Sequence, residues 1–221
     1  GTDFRLSSLF QGNLRLMTSL LWLAYIGSSM AVYFKSNWGP IIFEDVGFTR
    51  TQATMIMSVS SIGGSLAGLV LMRFTDRFGP IAIAIYPMLA APLLLLMGLA
   101  PVSLQGLAIF ALLSMAMISG THFGMHSIAG IYYPSAIRAN GAGWATSVAK
   151  IGSIFAPLLG GYLLATQVAP RFLFVLLAAT PLLTAVSLVL LARAGRRTSN
   201  PAVPPSTDNI ALPAEALATK P

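Results

Sequence analysis

Six stretches of about twenty apolar residues, separated by short gaps that hold most of the charges, leave this chain few ways to fold. They run over 14–35, 51–72, 80–99, 103–131, 139–165 and 171–192. A helix rises about 1.5 Å per residue, so roughly 20 such residues cross the hydrocarbon of a bilayer. In lipid the backbone must satisfy its own hydrogen bonds, which leaves helices or closed barrels. Barrel strands are segments of about ten residues that alternate in polarity; these runs are continuously apolar, so they read as helices. Composition agrees, with 56% hydrophobic and 9% charged residues where a soluble domain has about 25% charged. The first run is longer than the apolar core of a signal peptide and reads as a span. The expected fold is an all-α membrane protein of six transmembrane helices. A polar lead-in covers 1–13 and the bundle 14–193; the tail, 194–221, is rich in Pro, Ala, Ser and Thr and is expected to be disordered.

The net charge of +7 would suit nucleic acid if it formed one soluble patch, but its distribution reads as topology. With six spans, one side of the membrane carries Arg5, Arg15, Arg73, Arg77, Arg138, Arg193, Arg196, Arg197 and Lys220. The other carries Lys35, Arg50 and Arg171, offset by Glu44 and Asp45. Lys and Arg collect on the cytoplasmic side, so both ends of the chain are expected there, with no nucleic-acid partner. The same charges attract anionic lipid. With no cysteine, disulfides and thiolate metal sites are excluded.

Local signals divide the spans further. Trp38 suits a membrane interface, and Gly39-Pro40 is expected to break the first helix. Thr49 or Thr51 is the expected N-cap of the second. Ser60, Gly64 and Gly68 put a small face on span two; Gly152, Ala156 and Gly160 repeat the device on span five, with Gly141, Gly143 and Gly161 nearby. Close helix packing is the default reading of such faces, and a hinge is the alternative. Pro87, Pro92, Pro157 and Pro181 bend their helices, either as tolerated kinks or to serve opening and closing.

The loop after span two reads RFTDRFGP, 73–80. Asp76 and Arg77 can tether two helix ends by charged hydrogen bonds while Gly79 permits a tight bend. This loop resembles the second-half copy of the signature loop of the major facilitator superfamily, departing from it at Met72 and Pro80. A second stretch, YYPSAIRANGAGWATSVAKIGSIFAPLLGGYLL over 132–164, resembles the aromatic acid:H+ symporter family. That family carries Tyr-Pro, Arg, Gly-x-Gly-Trp, a basic residue before Gly, and Pro followed by Gly-Gly. Leu21-Trp22, Tyr33 and Trp38-Gly39-Pro40 match its first span as well. The resemblance implies that the chain, which begins at Gly1 rather than Met, is the C-terminal six-helix half of a twelve-helix transporter.

Lys150 stands out against its apolar surroundings. About nine residues inside its span, it lies roughly 14 Å deep, near the midplane. A charge there costs ~2.5 to 3.5 kcal/mol on insertion scales, and such residues usually face a cavity and serve transport. The resembling family has Arg at this position, so Lys150 keeps the charge and loses the bidentate fork. The functional reading is that Lys150 binds a substrate carboxylate; the alternative is that it snorkels or pairs with an acidic residue of the other half. No carboxylate of this chain falls within a span, so a proton-coupling Asp or Glu is expected in that other half.

His122 and His126, four apart on span four, share a helix face. They read as a cavity-lining pair, a zinc pair or buried neutral histidines; the resembling family has Gln and Asn here, which favours a polar substrate-facing surface. On span one Trp22, Tyr25, Ser29 and Tyr33 form an aromatic and polar stripe that suits an aromatic ring bearing hydroxyls, or helix packing in the case of Trp22.

The expected function is H+ symport of a small organic anion by alternating access. The resemblance narrows the anion to an aromatic carboxylate of the benzoate or hydroxybenzoate type. Lys150, Tyr25, Ser29, Tyr33, His122 and His126 are its expected substrate-binding residues. Asp76, Arg77, Gly79 and Arg138 are expected to form a cytoplasmic gating latch. Partners are the anion, H+, the bilayer and the N-terminal six-helix half, in a bacterial inner membrane. No nucleophile and base constellation, cofactor motif or metal set points to an enzyme. Two alternatives remain: transport of another solute, such as a sugar acid or drug, and a non-transporting half-length interaction module.

Overall fold

A computed structural model describes residues 6–198. Six helices in it are long and apolar enough to span a membrane: α1 (Leu14–Asp45), α2 (Arg50–Phe78), α3 (Pro80–Leu99), α4 (Leu104–Met125), α6 (Arg138–Ala165) and α7 (Pro170–Thr198). A short helix, α5 (Ala129–Tyr132), links α4 to α6, and a 3-10 turn, Leu6–Phe10, precedes α1. The chain is an integral, multi-pass, all-α membrane protein.

Helix α1 corrects the sequence expectation at its far end. It continues through Gly39-Pro40 to Asp45. Proline removes one N–H from the helical ladder, but burial of Ile42 and Phe43 outweighs that loss, with Phe43 packed on Phe48 and Phe174. Trp38 is accordingly a packing residue. Its indole N–H donates to the Pro157 carbonyl at 3.2 Å, and its ring fills the notch at Gly160.

Lys35 also moves. Expected among the charges outside the membrane, it lies inside α1 and is 2% exposed. Its ammonium donates to Ser61 Oγ on α2, and to Ser119 Oγ and the Met115 carbonyl on α4.

The other boundaries differ by smaller amounts. Span four stops at Met125, where the chain turns through His126 to Ile128. The last helix runs on to Thr198, past the expected boundary at 193; residues 199–221, the rest of the expected tail, lie outside the described residues. Thr49 caps α2 in a reciprocal box with Gln52, which satisfies two orphan N-terminal donors.

Helices α1 and α4 form the middle of the bundle. Helix α6 packs on α1, α2 on α4, and α3 and α7 on each other behind them. Small residues allow the close approaches: a methyl group on Gly64 would strike the Ala116 carbonyl of α4, and one on Gly152 the Ile26 carbonyl of α1. Both small faces therefore serve packing. Apolar clusters fill the bundle towards each end. Helices α6 and α2 are the least buried spans, at 22% and 33%. Each shows an outward apolar stripe: Met55, Val59, Ile62, Leu66 and Leu69 on α2, and Ile151, Phe155, Leu158 and Tyr162 on α6.

Candidate functional site

The six residues expected to bind substrate converge. Tyr25, Ser29 and Tyr33 from α1, His122 and His126 at the end of α4, and Lys150 from α6 line one cavity of ≈ 90 Å³, together with Thr146 and Ala149. Spacing explains the convergence. Tyr25, Ser29 and Tyr33 follow one face of α1, Thr146 and Lys150 one face of α6, and His122 and His126 sit in the last turn of α4 and just beyond its end. Thr146 and Ala149 were missed in the sequence because neither departs from ordinary helix composition; their position one turn and one residue before Lys150 is the available signal.

Within the cavity the groups have unequal freedom. The Tyr25 hydroxyl is committed, donating to the Met125 carbonyl at 2.8 Å; its ring, not its hydroxyl, is what it offers. His122 Nδ1 lies 3.0 Å from Ser28 Oγ, which ties α4 to α1 and fixes that imidazole. His126 is exposed and meets His122 edge to face, ring centroids 5.9 Å apart. As to a zinc reading of the pair, no third ligand joins it among the described residues. Lys150 is exposed, and among the described residues its ammonium has no hydrogen-bond or ion-pair partner. Twelve residues separate it from Arg138 at the start of α6, roughly 18 Å of helix. Trp22 stands apart from the cavity, stacked on Trp144 and edge-on to Phe10; it packs.

The latch residues are spread over two turns. Gly79 has φ +67°, a left-handed conformation that lets α2 pass directly into Pro80 and α3. The Arg77 guanidinium lies 5.5 Å from the Phe78 ring centroid. Arg138 donates to the Tyr133 carbonyl at 3.3 Å and so binds the turn before its own helix. The side chain of Asp76 lies outside the described residues.

Compared with known families, residues 21–220 match the family model of the Major Facilitator Superfamily. The chain belongs to that superfamily. Among curated relatives, this major facilitator chain is 31% identical over 162 residues to the 3-(3-hydroxy-phenyl)propionate transporter of Escherichia coli K12, covering 72% of the chain and 40% of that protein. It is 30% identical over 200 residues to the gallate transporter of Pseudomonas putida, covering 88% and 43%. It is 31% identical over 157 residues to a 4-hydroxybenzoate transporter of Pseudomonas aeruginosa, covering 71% and 35%. The matches thus span about two-fifths of each relative's length. These relatives are transporters of aromatic acids rather than enzymes.

Proposed function

We propose that this chain is the second half of a secondary transporter that takes up an aromatic carboxylate together with H+ by alternating access. The observation that carries the reading is Lys150: a cation at mid-helix depth, without a partner among the described residues, on the wall of a cavity lined by tyrosines and histidines. A carboxylate arriving there gains a charge-assisted hydrogen bond and cancels a costly charge. The Tyr25 and Tyr33 rings offer faces for the aromatic ring, and Ser29, Thr146 and His126 offer hydrogen bonds to its substituents. The relatives' cargoes, hydroxylated aromatic acids by name, support the same class.

The outward stripes on α2 and α6 fit a second bundle of six helices, supplied by the N-terminal half of the transporter. The basic end of the bundle, with Arg15, Arg73, Arg77, Arg138 and Arg193, is the cytoplasmic end by the positive-inside rule, in a bacterial inner membrane. In this scheme the Gly79 turn, with Asp76 and Arg77, and Arg138 form the cytoplasmic latch.

Uptake of labelled benzoate and 4-hydroxybenzoate by cells making the intact transporter, at several external pH values, tests the reading. Uptake should rise as external pH falls. Lys150→Gln should lose at least about tenfold in uptake, the weight of one charged hydrogen bond, while Lys150→Arg retains most of it, both at matched membrane levels. Full activity in Lys150→Gln makes the lysine structural; no uptake of either acid by the unaltered transporter moves the cargo to another class of solute.

A further inference from the structure

Arg15, in the first turn of α1, and Arg193, near the end of α7, belong to neither the cavity nor the latch. They line one recess of ≈ 660 Å³ at the basic end, together with Asn13, Leu16, Leu20 and Leu190. The fold brings them together because α1 enters the bundle at the end where α7 leaves it, and the two helices pack on each other. Both arginines are exposed, and among the described residues neither guanidinium makes an ion pair or a hydrogen bond. No carboxylate is among the described residues that line the recess. Glu44 and Asp45 sit at the far end of α1, roughly 44 Å along the helix.

Electrostatically the recess calls for an anion. Arg15 is the second residue of α1, where the helix dipole already presents positive charge. The first turn carries no acidic residue, and the side chain of Asn13, at the N-cap, makes no capping bond. Two cations, an amide donor and the positive end of a dipole thus meet in one place, and an anion stabilises all of them. Snorkelling towards water accounts for one arginine at a helix end; it does not account for two that share a recess with no carboxylate.

The surface next to the arginines identifies the anion. Leu190 lies one turn in from Arg193 and Val186 two turns in, on the same face of α7, and both are exposed. On α1, Leu16 and Leu23 share one face two turns apart and are exposed as well. The recess is therefore cationic at the helix ends and apolar further in. A soluble anion such as phosphate makes no use of the apolar walls, and a neutral lipid makes none of the arginines. A phospholipid of net negative charge uses both, and the guanidinium fork suits its phosphate oxygens. In the scheme above the second bundle rests on α2 and α6, which leaves α7 among the helices that face lipid.

We propose that Arg15, Arg193 and Asn13 hold the phosphate of an anionic diacyl phospholipid, such as phosphatidylglycerol, with an acyl chain laid along Leu16, Leu20 and Leu190. The lipid ties the start of α1 to the end of α7. The site lies outside the cargo cavity and does not depend on what the transporter carries.

Titration of the purified intact transporter in detergent micelles with dioleoyl phosphatidylglycerol and with dioleoyl phosphatidylcholine, read by native mass spectrometry, tests the site. Each guanidinium near a membrane surface is worth about fivefold in attraction of anionic lipid, so the unaltered protein should bind phosphatidylglycerol at least about twentyfold more tightly than phosphatidylcholine. The double change Arg15→Gln and Arg193→Gln should cut phosphatidylglycerol affinity about twentyfold and leave phosphatidylcholine binding as it was. Arg73→Gln, at an exposed arginine of the same basic end but outside the recess, should change neither. Equal affinity for the two lipids in the unaltered protein overturns the site without recourse to any variant. A loss in Arg73→Gln as large as that in the double change also overturns it, since the preference would then belong to diffuse charge. Displacement of phosphatidylglycerol by inorganic phosphate at millimolar concentration would put a soluble anion in the recess and overturn the lipid; no displacement supports it.

Discussion

Tyr25 lines the candidate cavity through a group other than its obvious one. Its hydroxyl is spent on the Met125 carbonyl, where α4 ends, so it holds α1 and α4 together while the ring faces the cavity. Tyr25→Phe should lower the stability of the purified transporter by about 1 kcal/mol, read in thermal unfolding. The half-saturation of uptake should move by less than about twofold; a large shift would mean that the hydroxyl touches the cargo. At this scale the sequence was informative where spacing and depth act together, as for Lys150 and the four-residue steps of α1. It misled at Lys35, because a lysine at the end of an apolar run looks like a flanking charge. The hydroxyls that hold it come from α2 and α4, 26 and 84 residues away, and no local pattern announces them.

Apolar length alone defined the elements well, since lipid leaves a chain little choice. Their ends were less legible. Pro40 reads as a stop in isolation, but the helix continues because Ile42 and Phe43 bury beyond it. Span four looked longer than it is because Ile128, Ala129 and Ile131, beyond its end, carry the apolar run on. The two small faces carry a sharper expectation. Gly152 sits against the backbone of α1, whereas Gly143, on the same helix, has open space around its Cβ position. Gly152→Leu should cost about 1 to 3 kcal/mol through overpacking and reduce the amount of transporter in the membrane, measured by immunoblot. Gly143→Ala should be close to neutral; equal effects of the two would remove the packing account of this face.

For the whole molecule, charge asymmetry gives an orientation that can be checked directly. The chain has no cysteine, so single cysteines introduced at exposed positions label without background from it. Thr166→Cys, between α6 and α7, should react with an impermeant maleimide on intact cells. Ser135→Cys, at the basic end, should react only after permeabilisation; the reverse pattern would invert the proposed topology. Of the least buried helices, α2 packs on α4 and α6 on α1, so a second bundle resting on both would close over the cavity. That arrangement was invisible in the sequence, where the mean hydropathies of α2 and α6, 1.8 and 1.5, fall within the range of 1.4 to 2.4 covered by the six spans.

One small contact at the basic end ties these scales together. Thr18 of α1 donates to the Leu9 carbonyl at 2.7 Å and accepts from the Tyr133 hydroxyl at 3.2 Å, while Arg138, at the first turn of α6, holds the Tyr133 carbonyl. Leu9 itself is fully buried. The segment ahead of α1 is therefore clamped to the base of the helix that carries Lys150. Mechanically this is a tie-rod between the turn ahead of α1 and the first turn of α6, and it is made at the basic end, outside the lining of the cavity.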